Sequence, residues 1–149
     1  MEKDFAANPT NFQKAFDLAI RYIQIQQNDR AGQILDGILN NPKADANVIF
    51  AVAQIYAQVN NLPKLEVTLQ KLVKMIPDQP EAWYNLAATK AGLGKSSEAV
   101  QDLRQALELN AKRAAQDPKA HDLRPEAEKD TRFNSIRDLP EYKALITPK

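Results

Sequence analysis

Residues 80–110 read PEAWYNLAATKAGLGKSSEAVQDLRQALELN, and this stretch decides the fold of the chain. Apolar residues recur in it at three- and four-residue intervals on both sides of a short break at 92–95. That pattern predicts two amphipathic helices joined by a Gly-Leu-Gly-Lys turn. A lone helical hairpin leaves one apolar face on each helix uncovered. The stretch therefore predicts further hairpins that stack on it.

The same stretch resembles one tetratricopeptide repeat (TPR). That family pattern has a tryptophan, a leucine and a small residue in the first helix, then alanine, a large apolar residue and alanine in the second. The matching residues are Trp83, Leu86, Ala87, Ala99, Leu103 and Ala106. The resemblance implies an all-α fold, an α-α superhelix (TPR-like solenoid), and a protein that holds another polypeptide.

The TPR period of about 34 residues carries the pattern back along the chain. One period earlier it falls on Ile49, Val52, Ala53, Tyr56, Leu65, Leu69 and Leu72, which predicts helices over 46–60 and 62–76. Two periods earlier it falls on Ala15, Leu18, Ala19, Tyr22, Ala31, Leu35 and Ile38. In that first repeat Gly32 and Gly37 weaken the second helix, each by up to about 1 kcal/mol relative to alanine.

These positions predict a single domain over 1–149 with three helical hairpins and C-terminal capping helices. The repeats cover about 12–45, 46–79 and 80–117, and the cap covers about 118–149. Ala111 replaces the proline that ends a typical repeat, so the last repeat helix is expected to run on towards Asp117. The run 130–142 is similar to the degenerate half-repeats that close bacterial TPR arrays. At the other end, 1–9 is expected to be the remnant of a preceding repeat, or else a start capped by Asn8 with Pro9 at the first helical position.

Composition excludes several classes of function. Twenty Lys and Arg face nineteen Asp and Glu, and a net charge of +1 gives no field that would attract nucleic acid or an anionic membrane. The chain has no cysteine, which fits a reducing compartment such as the cytoplasm. The charged start 1–7 is not expected to act as a signal peptide, and no apolar run in the sequence is long enough to predict a membrane-spanning helix.

No residue pattern points to catalysis, so the chain is expected not to be an enzyme and to bind no metal or cofactor. The lone His121 has no second ligand at metal-binding spacing and is expected in a solvated loop. The 92–96 turn lacks the first glycine of a phosphate-binding loop, because Thr89 stands there. The carboxylate pairs Glu98 with Asp102 and Glu126 with Asp130 predict solvated helix faces.

The resemblance further implies that the first helix of each repeat lines a concave groove for a peptide or protein. The positions that face such a groove hold Gln13, Phe16, Ile20, Ile23, Asn47, Phe50, Gln54, Gln58, Glu81, Tyr84 and Ala88. The aromatic rings offer apolar contact and the amides pair with a backbone. The alternative is that Phe16, Phe50 and Tyr84 pack against a neighbouring repeat.

The resemblance also gives a reason to exclude one ligand. TPR domains that bind heat-shock chaperones hold the terminal carboxylate of a peptide with lysine, asparagine and arginine. The matching places here hold Phe16, Ile20, Ala51, Glu81 and Asn85, so the cations that a carboxylate needs are missing. We therefore do not expect a chaperone tail as the partner.

Two other functional hypotheses remain open at this stage. The first hypothesis is that the chain is an accessory domain of a larger enzyme or membrane protein, for example a bacterial glycosyltransferase, whose chemistry lies outside these residues. Alternatively, the protein self-associates through the exposed ends of its repeats. Both hypotheses keep the TPR-like fold and differ in what the fold serves.

Overall fold

The computed structural model describes residues 12–147, and all regular secondary structure among them is helical. There are eight α-helices and one 3-10 helix in that range: α1 (Phe12–Gln24), α2 (Asn28–Leu39), α3 (Ala46–Gln58), α4 (Leu62–Met75), α5 (Pro80–Gly92), α6 (Ser96–Gln116), α7 (Leu123–Lys129), the 3-10 helix (Thr131–Ile136) and α8 (Pro140–Ile146). Helix α1 packs against α2, and α5 packs against α6, as in the hairpins that the sequence predicts. The predicted TPR-like fold class is therefore confirmed. The prediction for 1–9 concerns residues outside the described range.

The repeat is most visible in the turns that follow α1, α3 and α5. Gln26, Asn60 and Gly94 take the left-handed backbone conformation, with φ of 61°, 56° and 79°. They lie one TPR period, about 34 residues, apart. The next amide donates to the carbonyl five residues before it in each turn, at 2.8 Å for Gln27, 2.9 Å for Asn61 and 2.9 Å for Lys95. This hydrogen bond is the one that closes a helix in a Schellman motif.

The chain divides into two compact units between Thr68 and Leu69. In the first unit α2 packs against both α1 and α3. Small and branched residues fill its interior, namely Ala15, Leu18, Ala19, Ala31, Leu35, Ile38, Ile49, Val52 and Ala53. Asp45 caps α3, since its side chain accepts from the Val48 amide at 2.9 Å. The predicted single domain and the repeat boundaries stay predictions.

In the second unit the α5–α6 hairpin and the C-terminal helices share one core. Its buried residues include Tyr84, Ala99, Leu103, Leu123, Ala127, Phe133, Ile136 and Tyr142, with Trp83 packed against them. The Trp83 indole nitrogen also donates to the Pro77 carbonyl at 2.8 Å. Asn110 is buried and holds the start of α7, because its amide donates to the His121 carbonyl and accepts from the Leu123 amide.

The helix ends follow the local sequence closely. Helix α6 runs to Gln116, well past Asn110, as the missing proline predicted. Helix α3 ends at Gln58, two residues before the predicted end, because Asn60 has already left the helical conformation. Helix α4 ends at Met75, one residue early. None of the helices in 12–147 combines the length and the apolar character that crossing a bilayer requires.

Candidate functional site

The predicted groove residues of helix α1 form a row that we call the α1 stripe: Gln13, Phe16, Ile20 and Ile23. Their spacing of three and four residues places them on one face of the helix, apart from the buried Ala15 and Ala19. Ile20 is 40% exposed, although it is a large apolar residue. Phe16 and Ile23 are half-buried, and Gln13 is exposed and donates to Asp17 at 3.0 Å. The α1 stripe thus offers apolar surface to solvent.

The predicted residues of helix α3 form a second row, the α3 stripe: Asn47, Phe50, Gln54 and Gln58. All four side chains are exposed. Phe50 is the notable member, because 43% of its surface is open to solvent. Amide side chains precede and follow it on the same helix face. Both stripes belong to the first unit.

Helix α5 places its predicted groove residues differently. Tyr84 and Ala88 are each only 2% exposed. The 3-10 helix packs on α5, and its Phe133 ring meets the Tyr84 ring edge-on with centroids 5.3 Å apart. The expected open surface at Tyr84 and Ala88 is absent here, because the chain's own cap covers this face. Glu81 is half-buried and accepts from Arg113 at 2.8 Å.

A polar cluster fixes the cap over Tyr84. The Tyr84 hydroxyl donates to Asp130 at 2.8 Å, and Arg132 binds the same carboxylate through Nε and Nη2. The Arg132 guanidinium also lies over the Tyr84 ring, 5.7 Å from its centroid. Ser135 adds a hydrogen bond to the Ala91 carbonyl at 2.9 Å. The cap is therefore held to α5 by directed polar contacts as well as by apolar packing.

The pKa shifts in this unit follow from the same contacts. Burial, and after it the hydrogen bond to Asp130, raises the pKa of Tyr84, so its hydroxyl stays a donor. Burial acts to raise the pKa of Asp130, but hydrogen bonds from Arg132 and Tyr84 outweigh it and lower the pKa. The hydrogen bond from Arg113 lowers the pKa of Glu81. Asp130 and Glu81 are thus held as charged partners.

Two carboxylates that the sequence assigned to solvated faces are largely buried instead. Asp102 is 13% exposed and lies 2.8 Å from Lys90, whose side chain is 8% exposed. Asp130 is similarly covered, beneath Arg132. Sequence reasoning missed both because Lys90, which pairs with Asp102, and Tyr84, which donates to Asp130, lie on α5. The only available signal was Lys90, a charged residue on the otherwise apolar face of α5.

The residues considered for chemistry form no metal centre. Within 12–147 no three His, Cys, Asp or Glu side chains gather where they could hold a metal ion. His121 is exposed in the loop before α7, and its Nε2 lies 2.7 Å from the Glu126 carboxylate.

Comparison with known proteins agrees with this architecture. The family model of the tetratricopeptide repeat matches residues 80–113, which is the α5–α6 hairpin. No curated protein and no solved structure matched the chain. Repeats of this family are generally non-catalytic modules of protein–protein interaction. The resemblance read from the sequence is therefore confirmed: the chain carries a tetratricopeptide repeat at residues 80–113.

Proposed function

We propose that this protein is a non-catalytic interaction scaffold that binds a peptide or protein segment along the α1 and α3 stripes. The observation that carries the proposal is the exposure of Phe50, at 43%. Its counterpart one period later, Tyr84, has the cap of its own chain as a cover. An aromatic ring at this repeat position can thus be covered by a polypeptide segment. Phe50 is exposed, and we infer that a segment of another polypeptide covers it.

The composition of the stripes favours a particular kind of ligand. Phe50 and Ile20 supply exposed apolar surface, which is the usual centre of a binding hot spot. Asn47 and Gln54 flank the ring and can pair with backbone groups of an extended or helical segment. Neither stripe contains Lys, Arg, Asp or Glu. The favoured ligand is therefore a segment that contributes apolar side chains and backbone hydrogen bonds rather than charge.

Selection from a random peptide library on the immobilised protein tests the proposal. Selected peptides are then titrated by calorimetry against wild type, Phe50→Ala and Val67→Ala. Val67 is the control, since it is also an exposed apolar residue but lies on α4 outside both stripes. We expect Phe50→Ala to weaken binding by about tenfold or more and Val67→Ala to leave it unchanged. Equal affinity for wild type and Phe50→Ala would place binding elsewhere.

Self-association is tested with the same variants. If a second copy is the partner, light scattering at high concentration shows a dimer that Phe50→Ala dissociates and Val67→Ala retains. A strict monomer at every concentration removes self-association and leaves a different polypeptide as the ligand.

A further inference from the structure

The first unit contains a cleft of about 460 Å³ that begins where the α1 stripe ends. Half-buried Ile23 and Val59 give it an apolar part, and Asp29, Asp36 and Lys64 lie at its polar part. All of the lining comes from the end of α1, from α2 between Asn28 and Asp36, from the end of α3 with Val59, and from the start of α4. The cleft is therefore a feature of this unit alone.

A glycine keeps the cleft open. Gly32 lies within α2, where glycine costs about 1 kcal/mol relative to alanine. A Cβ atom there would meet no heavy atom within 4 Å, so no neighbour requires glycine. Two periods later the same repeat position holds Val100, which is buried in the core of the second unit. The side chain that fills this position in the second unit is missing at Gly32, and Gly32 therefore leaves its part of the cleft open.

One carboxylate at the cleft has no cationic side chain as a partner. Asp36 is fully engaged, since it accepts from the Tyr56 hydroxyl at 2.9 Å and from Lys64 Nζ at 2.9 Å. Asp29, by contrast, is exposed in the first turn of α2, and its carboxylate makes no hydrogen bond or ion pair with another side chain of the described residues. The amides of Asn28 and Gln33 also line the cleft and can accept hydrogen bonds. The free bonding capacity beside the apolar part therefore suits a cation.

We propose that this cleft binds an arginine side chain of a partner protein. The aliphatic stem of an arginine can lie against Ile23 and Val59, both of which are half-buried, while the guanidinium head remains in the polar part. Its planar guanidinium has five donors, enough to serve the Asp29 carboxylate and the neighbouring amide oxygens together. The cleft is distinct from the apolar surface of Phe50 and Ile20, and the inference does not depend on the function proposed for the stripes.

A blocked arginine, N-acetyl-arginine N-methylamide, tests the site directly. It is titrated into the ¹⁵N-labelled protein at constant ionic strength, with blocked citrulline as the neutral isostere. We expect saturable shifts of the Gly32 amide and little change at Gly37, with citrulline binding about tenfold more weakly. No saturable shift with arginine, or equal binding of citrulline, would overturn the proposal.

Matched variants separate the cleft from the rest of α2. Gly32→Leu should abolish arginine binding, whereas Gly37→Leu should retain it, because Gly37 also has nothing within 4 Å of a Cβ but does not line the cleft. Asp29→Asn should weaken binding about tenfold. Loss of binding in Gly37→Leu, or full binding in both Gly32→Leu and Asp29→Asn, would contradict the assignment.

Two controls complete the test. Thermal unfolding establishes that each variant is folded, and Gly32→Ala replaces Gly32→Leu if the larger residue prevents folding. Phe50→Ala should bind blocked arginine like wild type. A failed arginine titration therefore leaves the proposal for the α1 and α3 stripes unaffected. Equally, a failed peptide selection leaves the arginine proposal unaffected.

Discussion

The α3 stripe in the first unit and the matching face of α5 in the second start from the same repeat position and reach opposite states. Phe50 is 43% exposed, whereas Tyr84 is 2% exposed beneath the cap. Both rings stand at the position that the TPR resemblance assigns to a groove. The difference teaches that a repeat sets which face of a helix is available, and that the chain beyond the repeat decides whether the face stays open. In α5 the C-terminal cap of the same chain covers the face.

The strongest way to break this comparison is to remove the ring that covers Tyr84. Phe133 is fully buried, so Phe133→Ala should cost about 3–5 kcal/mol of unfolding free energy through lost burial and the cavity that remains. Phe50→Ala makes the same chemical change at an exposed ring and should cost less than about 1 kcal/mol. Urea denaturation of both variants measures the two costs. Similar costs would mean that the two rings are equally covered in solution.

The buried ion pair of the second unit should have the next largest effect. Asp102→Ala leaves Lys90 largely buried without its closest partner and should cost about 3 kcal/mol. Glu98 lies 3.6 Å from the same lysine but is 56% exposed, so Glu98→Ala should cost less than about 1 kcal/mol. The double variant Lys90→Met with Asp102→Leu should recover most of the loss, because it removes both charges. Calorimetry that shows Glu98→Ala to be the more damaging change would refute this assignment.

The polar contacts of the cap should make the second unit sensitive to acid. At neutral pH the hydrogen bonds that Asp130 accepts from Tyr84 and Arg132 should make Asp130→Asn about 2 kcal/mol less stable than wild type. The folded-state pKa of Asp130 is lowered, so its contribution is complete above the unfolded value of about 3.9 and is lost as the pH falls through the folded value. The unfolding free energies of wild type and Asp130→Asn, measured at several pH values, should therefore become more similar as the pH falls. A constant gap between them would show that the charge of Asp130 does not matter.

The features that could be predicted from the sequence are those whose residues lie close together along the chain. The hairpins, the turn at Gly94 and the extension of α6 follow from periodicity and from single residues such as Ala111, which act locally. The cover over Tyr84 joins residues 46 positions apart, and no spacing rule reaches that far. Within α6 alone, Asp102 has the spacing of a solvated carboxylate. Its partner Lys90 lies on the facing helix, which the sequence of α6 does not indicate. The sequence predicted a C-terminal cap, but it did not indicate that Phe133 and Asp130 of that cap would cover Tyr84.

The smallest expected effects lie in the turns, where the two units should differ by residue choice alone. Gly94 takes φ 79° at no steric cost, whereas Gln26 holds φ 61° with a side chain that disfavours it. Gln26→Gly should therefore stabilise the protein by about 1 kcal/mol and Gly94→Gln should destabilise it by about as much. Asn60→Gly should gain only a few tenths of a kcal/mol, since asparagine tolerates this conformation. Thermal unfolding that ranks the variants in another order would show that the first unit closes its turns differently in solution, and the repeat would then be a pattern of side chains without a shared backbone.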